Sequence, residues 1–241
     1  MDRTDKSSLI AFEGIDGAGK TTQVNLLVDF FKAAGEPVLQ SKEPTDGPWG
    51  RKIRQSATKG RMSPAEELHA FVEDRKQHIR DTILPALSRG ETVILDRYFY
   101  STIAYQGSQG QNPDAVAAQM FDLALVPDVV FLIDVPPDVG VSRIQTGRGE
   151  TPNAFEDVDH LRQVHKGFQD LARKYQNIVV IDGTRDIESV RRAIIRQLLE
   201  GILKLRYCAK AYGCDSPEYC AYRIAGSCRW ARMCKHADLY P

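Results

Sequence analysis

Leu9-Ile-Ala-Phe-Glu-Gly-Ile-Asp-Gly-Ala-Gly-Lys-Thr-Thr22 decides how the rest of this 241-residue chain is read. An apolar run, Leu9 to Phe12, leads into Gly14-x-x-x-x-Gly19-Lys20-Thr21, and a helical pattern follows. Strand, glycine-rich turn and helix start are the setting that a phosphate-cradling loop requires. Backbone N–H groups of such a loop converge on phosphate oxygens, and the helix N-terminus adds positive potential. Gly14, Gly17 and Gly19 let the backbone approach closely, because a Cβ would block the phosphate or forbid the angles. Lys20 would reach the β- and γ-phosphates of a nucleotide and the Thr21 hydroxyl would ligate Mg²⁺, with Thr22 beside it.

Four more apolar runs follow, at Pro37–Leu39, Thr92–Leu95, Val129–Ile133 and Ile178–Ile181. Helical spacing separates them: Val24, Leu27, Phe30 and Phe31 before a stop at Gly35, then Leu68, Phe71 and Val72 after an N-cap at Ser63 and Pro64. Ile79, Ile83 and Leu87 belong to a further helix interrupted at Pro85; 114–125, 158–175 and 187–205 read as helices. Short continuous apolar strands alternating with helices predict an α/β fold, with a parallel sheet covered on both faces. Functional groups then gather at the carboxyl ends of strands, where Glu13, Asp96 and Asp134 stand.

Asp96-Arg97-Tyr98 closes the third run. An acid there can orient Mg²⁺ through water and an arginine can clamp phosphate, although the same pair also serves as a surface ion pair. Ser101, Tyr105 and Gln106 follow with hydroxyl, phenol and amide groups suited to a nucleoside. Glu43-Pro44-Thr-Asp-Gly-Pro48 reads as a turn-rich loop. Beyond it Arg51, Lys52 and Arg54 suit a second phosphate. Phe71, Asp74 and Arg75 share one helical face, where a ring beside a guanidinium suits a stacked base, or Phe71 is simple core.

These residues together resemble the thymidylate kinase family, over about Leu9 to Leu199. The resemblance rests on Phe12–Thr22, Glu43-Pro44, Phe71 with Asp74-Arg75, and Asp96-Arg-Tyr…Ser101…Ala104-Tyr-Gln-Gly107. It implies a P-loop nucleoside monophosphate kinase fold with a five-stranded parallel sheet, and a homodimer. It also implies transfer of the γ-phosphoryl of ATP to dTMP with Mg²⁺, in dTTP synthesis. Position by position, Asp16 would hold the sugar 3′-hydroxyl, Arg54 and Arg97 the acceptor phosphate, Phe71 would stack on thymine and Arg75 would bond its carbonyl edge. Tyr105 would sit beside C2′ and disfavour ribose; Glu43, Ser101 and Gln106 complete the acceptor site. Lys20, Thr21 and Asp96 serve ATP and Mg²⁺. Ala18 stands where one class of the family carries its catalytic arginine, which assigns that role to the lid, Arg143 to Glu156, read as a loop between helices. Arg148 is the first choice and Arg143, near ATP, the second. Asn153-Ala154 replaces an Asp-Arg pair common in that class. A kinase for another nucleoside monophosphate and a nucleotide-binding regulator are the alternatives.

All five cysteines, Cys208, Cys214, Cys220, Cys228 and Cys234, fall in the last stretch, outside the resemblance. Composition changes near Leu205, so a kinase domain over 1–205 and an extension over 206–241 are expected. Residues 201–241 hold seven Lys/Arg against three Asp/Glu, and since the whole chain balances at 32 and 32 the remainder is acidic by the same margin. No Cys-x-x-Cys occurs, so standard zinc-finger and ferredoxin spacings are excluded. A zinc ion or iron–sulfur cluster, disulfides, and unligated thiols all remain open for this tail. The balanced global charge speaks against nucleic acid as a partner. No apolar run reaches the ~20 residues of a membrane span, and no signal-like core precedes the first strand, so a cytoplasmic protein is expected.

Overall fold

The computed structural model describes residues 7–60, 62–148 and 158–201, except the side chains of 57–59 and 147–148. Five parallel strands form one sheet: β1 (Ser8–Glu13), β2 (Val38–Lys42), β3 (Thr92–Asp96), β4 (Val129–Asp134) and β5 (Ile178–Asp182), in the order β2-β3-β1-β4-β5. The apolar runs sit where their composition demands. Every residue of β1 is buried, as are nearly all of β3 and β4, whereas the edge strands β2 and β5 are half exposed. Register places Phe12 between Asp96 and Phe131, so β1 lies at the centre. The chain leaves β1 through α1 toward β2 on one side and leaves β3 toward β4 on the other, and the crevice at the carboxyl ends of β1 and β3, where these connections diverge, is where ligands bind in such sheets.

Nine α-helices are described: α1 (Lys20–Ala33), α2 (Pro48–Lys59), α3 (Pro64–His78), α4 (Leu84–Ser88), α5 (Phe99–Ser108), α6 (Pro113–Leu123), α7 (Pro137–Arg148), α8 (Val158–Lys174) and α9 (Ile187–Glu200). α1 packs with α9 against the sheet, while α4, α5 and α8 form the second layer, with α3 on α5. This is the P-loop nucleoside monophosphate kinase architecture. α1 ends as its glycine dictates: Gly35 takes φ +70°, Gly35 N–H bonds Lys32 O and Glu36 N–H bonds Phe31 O. α3 starts with a capping box, Ser63 with Glu66, followed by Pro64.

Three expectations change. Pro85 does not interrupt the helix: α3 continues through a π-helical turn, Ile79–Ile83, into α4. Leu84 N–H bonds Ile79 O, five residues back, and this widened turn accommodates a proline that cannot donate to the preceding turn. Residues 48–59 and 99–108 are helical, although helices were not expected there. Arg143–Arg148 belongs to α7 and not to a lid loop. Residues 149–157, with Asn153-Ala154, lie outside the described residues, and so does everything after 201, including the five cysteines. Among the described residues no helix is long and apolar enough to cross a membrane.

Candidate functional site

The phosphate loop is wedged between the sheet and α7. A Cβ on Gly14 would lie 2.5 Å from Ile133 O and one on Gly17 2.1 Å from Gly140 O, so neither position tolerates a side chain. Gly19 N-caps α1 at φ +94°. Lys20 bends back and donates to Ile15 O at 2.7 Å. Burial, then the charge of Arg97, pushes its ammonium down to about 8 against the opposing pull of Asp16, Asp96 and Glu13; an arriving phosphate adds negative charge that favours the ammonium. The Thr21 hydroxyl donates to Asp96 Oδ2, bringing the start of α1 against the end of β3. A hydroxyl and a carboxylate are hard oxygen donors that fit Mg²⁺, which fills its remaining positions with water and phosphate. Among the described residues no cluster of three or more His, Cys, Asp or Glu could hold a metal unaided.

Beside this loop, two carboxylates meet one arginine. Arg97 stands at φ +69°, a left-handed backbone rare for a side-chain-bearing residue. Its guanidinium donates to Asp16 Oδ1 at 2.7 Å, to Gly14 O at 3.1 Å and to Ser101 Oγ at 3.0 Å. The Tyr105 hydroxyl donates to Asp16 Oδ2 at 2.8 Å. Burial opposes the Asp16 charge, but Arg97 and Lys20 outweigh it and hold the carboxyl down to about 2. Glu13 sits behind, fully buried, accepting from the N–H groups of Tyr98 and Ser101 at 2.9 and 3.1 Å and from the Ser101 hydroxyl at 2.5 Å. Desolvation dominates there and raises its carboxyl to about 7.

The far wall is an ionic strap between β2 and α3. Glu43 Oε2 accepts from Arg75 Nε and Nη2 at 2.9 and 2.5 Å, and Oε1 meets His78 Nδ1 at 3.0 Å, whose other nitrogen reaches Ser41 Oγ at 2.8 Å. Arg75 is 1% exposed. It also donates to Thr102 Oγ1 and to Met120 Sδ, so of its five N–H groups four are committed and one remains for a ligand. Asp74 faces away from the cavity and pins Thr45, accepting from its N–H at 2.8 Å and its hydroxyl at 2.6 Å. Arg54 donates to Pro44 O at 2.8 Å and to Asp46 at 2.9 Å.

One cavity of about 1020 Å³ joins these groups. It is lined by Asp16, Gly17, Gly19, Lys20, Thr21, Thr22, Glu43, Arg54, Phe71, Arg75, Asp96, Arg97, Ser101, Tyr105 and Arg143, which unites most of the residues expected from the sequence. Gly14 does not line it. Gln106 is buried behind the wall, where its amide donates to Glu67 at 2.8 Å. His165 Nε2 donates to Asp134 Oδ1 at 2.6 Å, and Asp134 lies outside the cavity. Arg148 ends α7, and its side chain is not among those described. Sequence reasoning missed two parts. Glu67 lines the cavity from the same face of α3 as Phe71 and Arg75, which the i, i+4, i+8 spacing could have revealed. The loop 183–186 after β5, with Ile187 at the start of α9, lines its other end, tied to α7 by Arg143 donating to Gly183 O at 3.0 Å; the strand-end rule that singled out Asp96 applies equally to Asp182.

Known proteins share this arrangement in sequence. The family model described as Thymidylate kinase matches residues 12–194. The thymidylate kinase of Xanthomonas campestris pv. campestris (strain B100) is 48% identical over 184 residues, covering 76% of this chain and 79% of that protein. The thymidylate kinase of Xylella fastidiosa (strain 9a5c) is 46% identical over 199 residues, covering 82% and 93%. With the phosphate loop, the strap and the cavity between them carried by the matched span, the chain belongs to the thymidylate kinase family.

Proposed function

We propose that this chain transfers the γ-phosphoryl group of ATP to the 5′-phosphate of dTMP, forming dTDP and ADP. The observation that carries the proposal is the unbroken cavity from Lys20 and Thr21 to Phe71 and Arg75, which has room for two nucleotides meeting at their phosphates. An oxygen of the acceptor phosphate attacks the γ-phosphorus, and the bond to the β–γ bridging oxygen breaks. Such transfer is mostly positioning and neutralisation of spread negative charge. Lys20 and the loop N–H groups hold the β- and γ-phosphates, with the adenine end toward Arg143 and Gly183–Ile187. Arg97 and Arg54 hold the acceptor phosphate. Thr21 and Asp96 would hold Mg²⁺, which neutralises charge on the ATP phosphates.

Phe71 offers a ring face to the base, and the single free N–H of Arg75 offers one bond to a carbonyl edge. Asp16, kept ionised by Arg97, accepts from the sugar 3′-hydroxyl, while Tyr105 stands beside C2′. Arg148, at the end of α7, is proposed as the transition-state cation; turnover near wild type in Arg148→Ala would transfer that role elsewhere. A cytoplasmic homodimer and a zinc ion or cluster on the tail thiols belong to the same proposal. Sedimentation, cell fractionation and metal analysis of anaerobically purified protein test them.

The decisive assay is ATP-dependent phosphorylation of dTMP, dUMP, dCMP, UMP and AMP with Mg²⁺, with Lys20→Ala as the blank. Selective turnover of dTMP that vanishes in the blank is expected. Preference for another monophosphate overturns the roles given to Phe71, Arg75 and Tyr105. Nucleotide binding without transfer to any acceptor overturns the kinase reading in favour of a regulator.

A further inference from the structure

We infer that Asp46 is a built-in counter-ion of the acceptor-phosphate subsite, exchanged for the substrate phosphate on binding. The inference rests on the reading of Arg54 as an acceptor-phosphate ligand. Its carboxylate bridges two cations that both line the cavity: Oδ1 accepts from Arg54 Nη2 at 2.9 Å and Oδ2 lies 3.4 Å from Lys42 Nζ. Asp46 itself faces the outside of that wall, with 75% of its side chain exposed. Arg54, given to the acceptor phosphate, and Lys42, a second cation lining the same cavity, are therefore already paired with a carboxylate from the protein.

Two opposite roles are conceivable for such a carboxylate: holder of the arginine or competitor of the phosphate. The contacts decide between them. Arg54 is held without Asp46, because Nη1 donates to Pro44 O at 2.8 Å. The loop backbone is held without the Asp46 side chain, because Asp74 grips Thr45 and Arg51 donates to the Asp46 backbone oxygen at 2.5 Å. Gly50 packs so closely on Thr45 that a Cβ there would lie 1.9 Å from Thr45 O, which fixes the loop against α2. Removing the carboxylate thus leaves Arg54 and the loop in place and deletes only negative charge. A phosphate arriving at Arg54 must displace or repel that charge, and an exposed aspartate can swing into solvent to make way. Without substrate, the same pairing keeps the subsite from filling with inorganic anions. Asp46 touches no reacting atom; it acts through Arg54 and Lys42.

The test compares wild type with Asp46→Asn, Asp46→Glu and, as a remote loss of one acidic charge, Asp170→Asn, whose side chain pairs only on the surface of α8. Steady-state kinetics are read for dTMP and ATP, with inhibition by inorganic phosphate. In Asp46→Asn, KM for dTMP falls about two- to fivefold, the range of a solvent-exposed ion pair. Phosphate inhibits more strongly, while kcat and KM for ATP stay unchanged. Asp46→Glu and Asp170→Asn keep the wild-type KM. An unchanged or raised KM for dTMP in Asp46→Asn overturns the inference, as does an equal fall in Asp170→Asn. Failure of the kinase reading would show separately, as absence of dTMP turnover in the wild type.

Discussion

Glu13 and Asp16 stand three residues apart at the end of β1 and behave oppositely. Asp16 faces Arg97 and Lys20 and is held down to about 2. Glu13 is sealed beneath α5, and desolvation lifts it to about 7 despite its hydrogen bonds. Folding stability records the difference. Between pH 4.5, the ordinary value, and about 7, the unfolded chain has released the Glu13 proton while the folded chain still binds it, so stability falls as pH rises across that window. Glu13→Gln reproduces the protonated acid: its oxygen can accept from the Tyr98 and Ser101 N–H groups and its amide can donate to Ser101 Oγ. Calorimetry of both proteins is expected to give a gap constant below pH ~4, widening in favour of Glu13→Gln up to pH ~7, and constant above. Parallel curves would mean that Glu13 titrates as an ordinary exposed acid. That Glu13 would be buried and Asp16 poised was not legible in the sequence, because the two environments come from α5 and from Arg97, far along the chain.

α7 carries the second lesson. Its sequence, Pro137 to Arg148 with Gly140 and Gly147 inside, argues locally for a loop. Gly140 is there because the phosphate loop presses on the helix: a Cβ would lie 2.7 Å from Asp16 O and 3.1 Å from Ile15 Cδ1. Tertiary contact thus overrides propensity. In α2 only Ile53 of the large apolar side chains is buried, too little to show a period. Four of the strands were legible because each holds a continuous apolar run, β2 only at its start because Gln40-Ser-Lys42 follow Val38-Leu39, and the phosphate loop because its spacing is local. The glycines give a paired prediction. Gly140→Ala must shift the loop that holds Asp16, lowering kcat/KM at least about tenfold and stability by about 1–3 kcal/mol. Gly167→Ala in α8 would place its Cβ 3.4 Å from Ala104 Cα, an ordinary contact, and gains helix propensity, so its turnover and Tm remain near wild type. Equal effects of the two would remove the steric argument for Gly140.

At the scale of the whole molecule, the core and the site of the described residues both lie upstream of the cysteines. The apolar core runs continuously from Leu9 in β1 to Leu198 in α9. The family model stops at residue 194, so every residue given a part in catalysis lies upstream of the extension. A chain ending at 205 keeps every core residue, phosphate-loop residue and strap residue described. It is expected to phosphorylate dTMP within about twofold of the full chain and to melt within ~2–4 °C of it, the shift that about 1 kcal/mol produces at this size. The basic tail and the acidic body differ in sign, so any stabilising contact between them weakens with salt. A truncated protein that melts much lower at low salt, with the gap closing at high salt, would assign the tail to the body by charge. A large gap insensitive to salt would make it part of the core and move the domain boundary. Metal present in the full chain and absent after truncation would locate the ligand on the cysteines without disturbing the catalytic assignment.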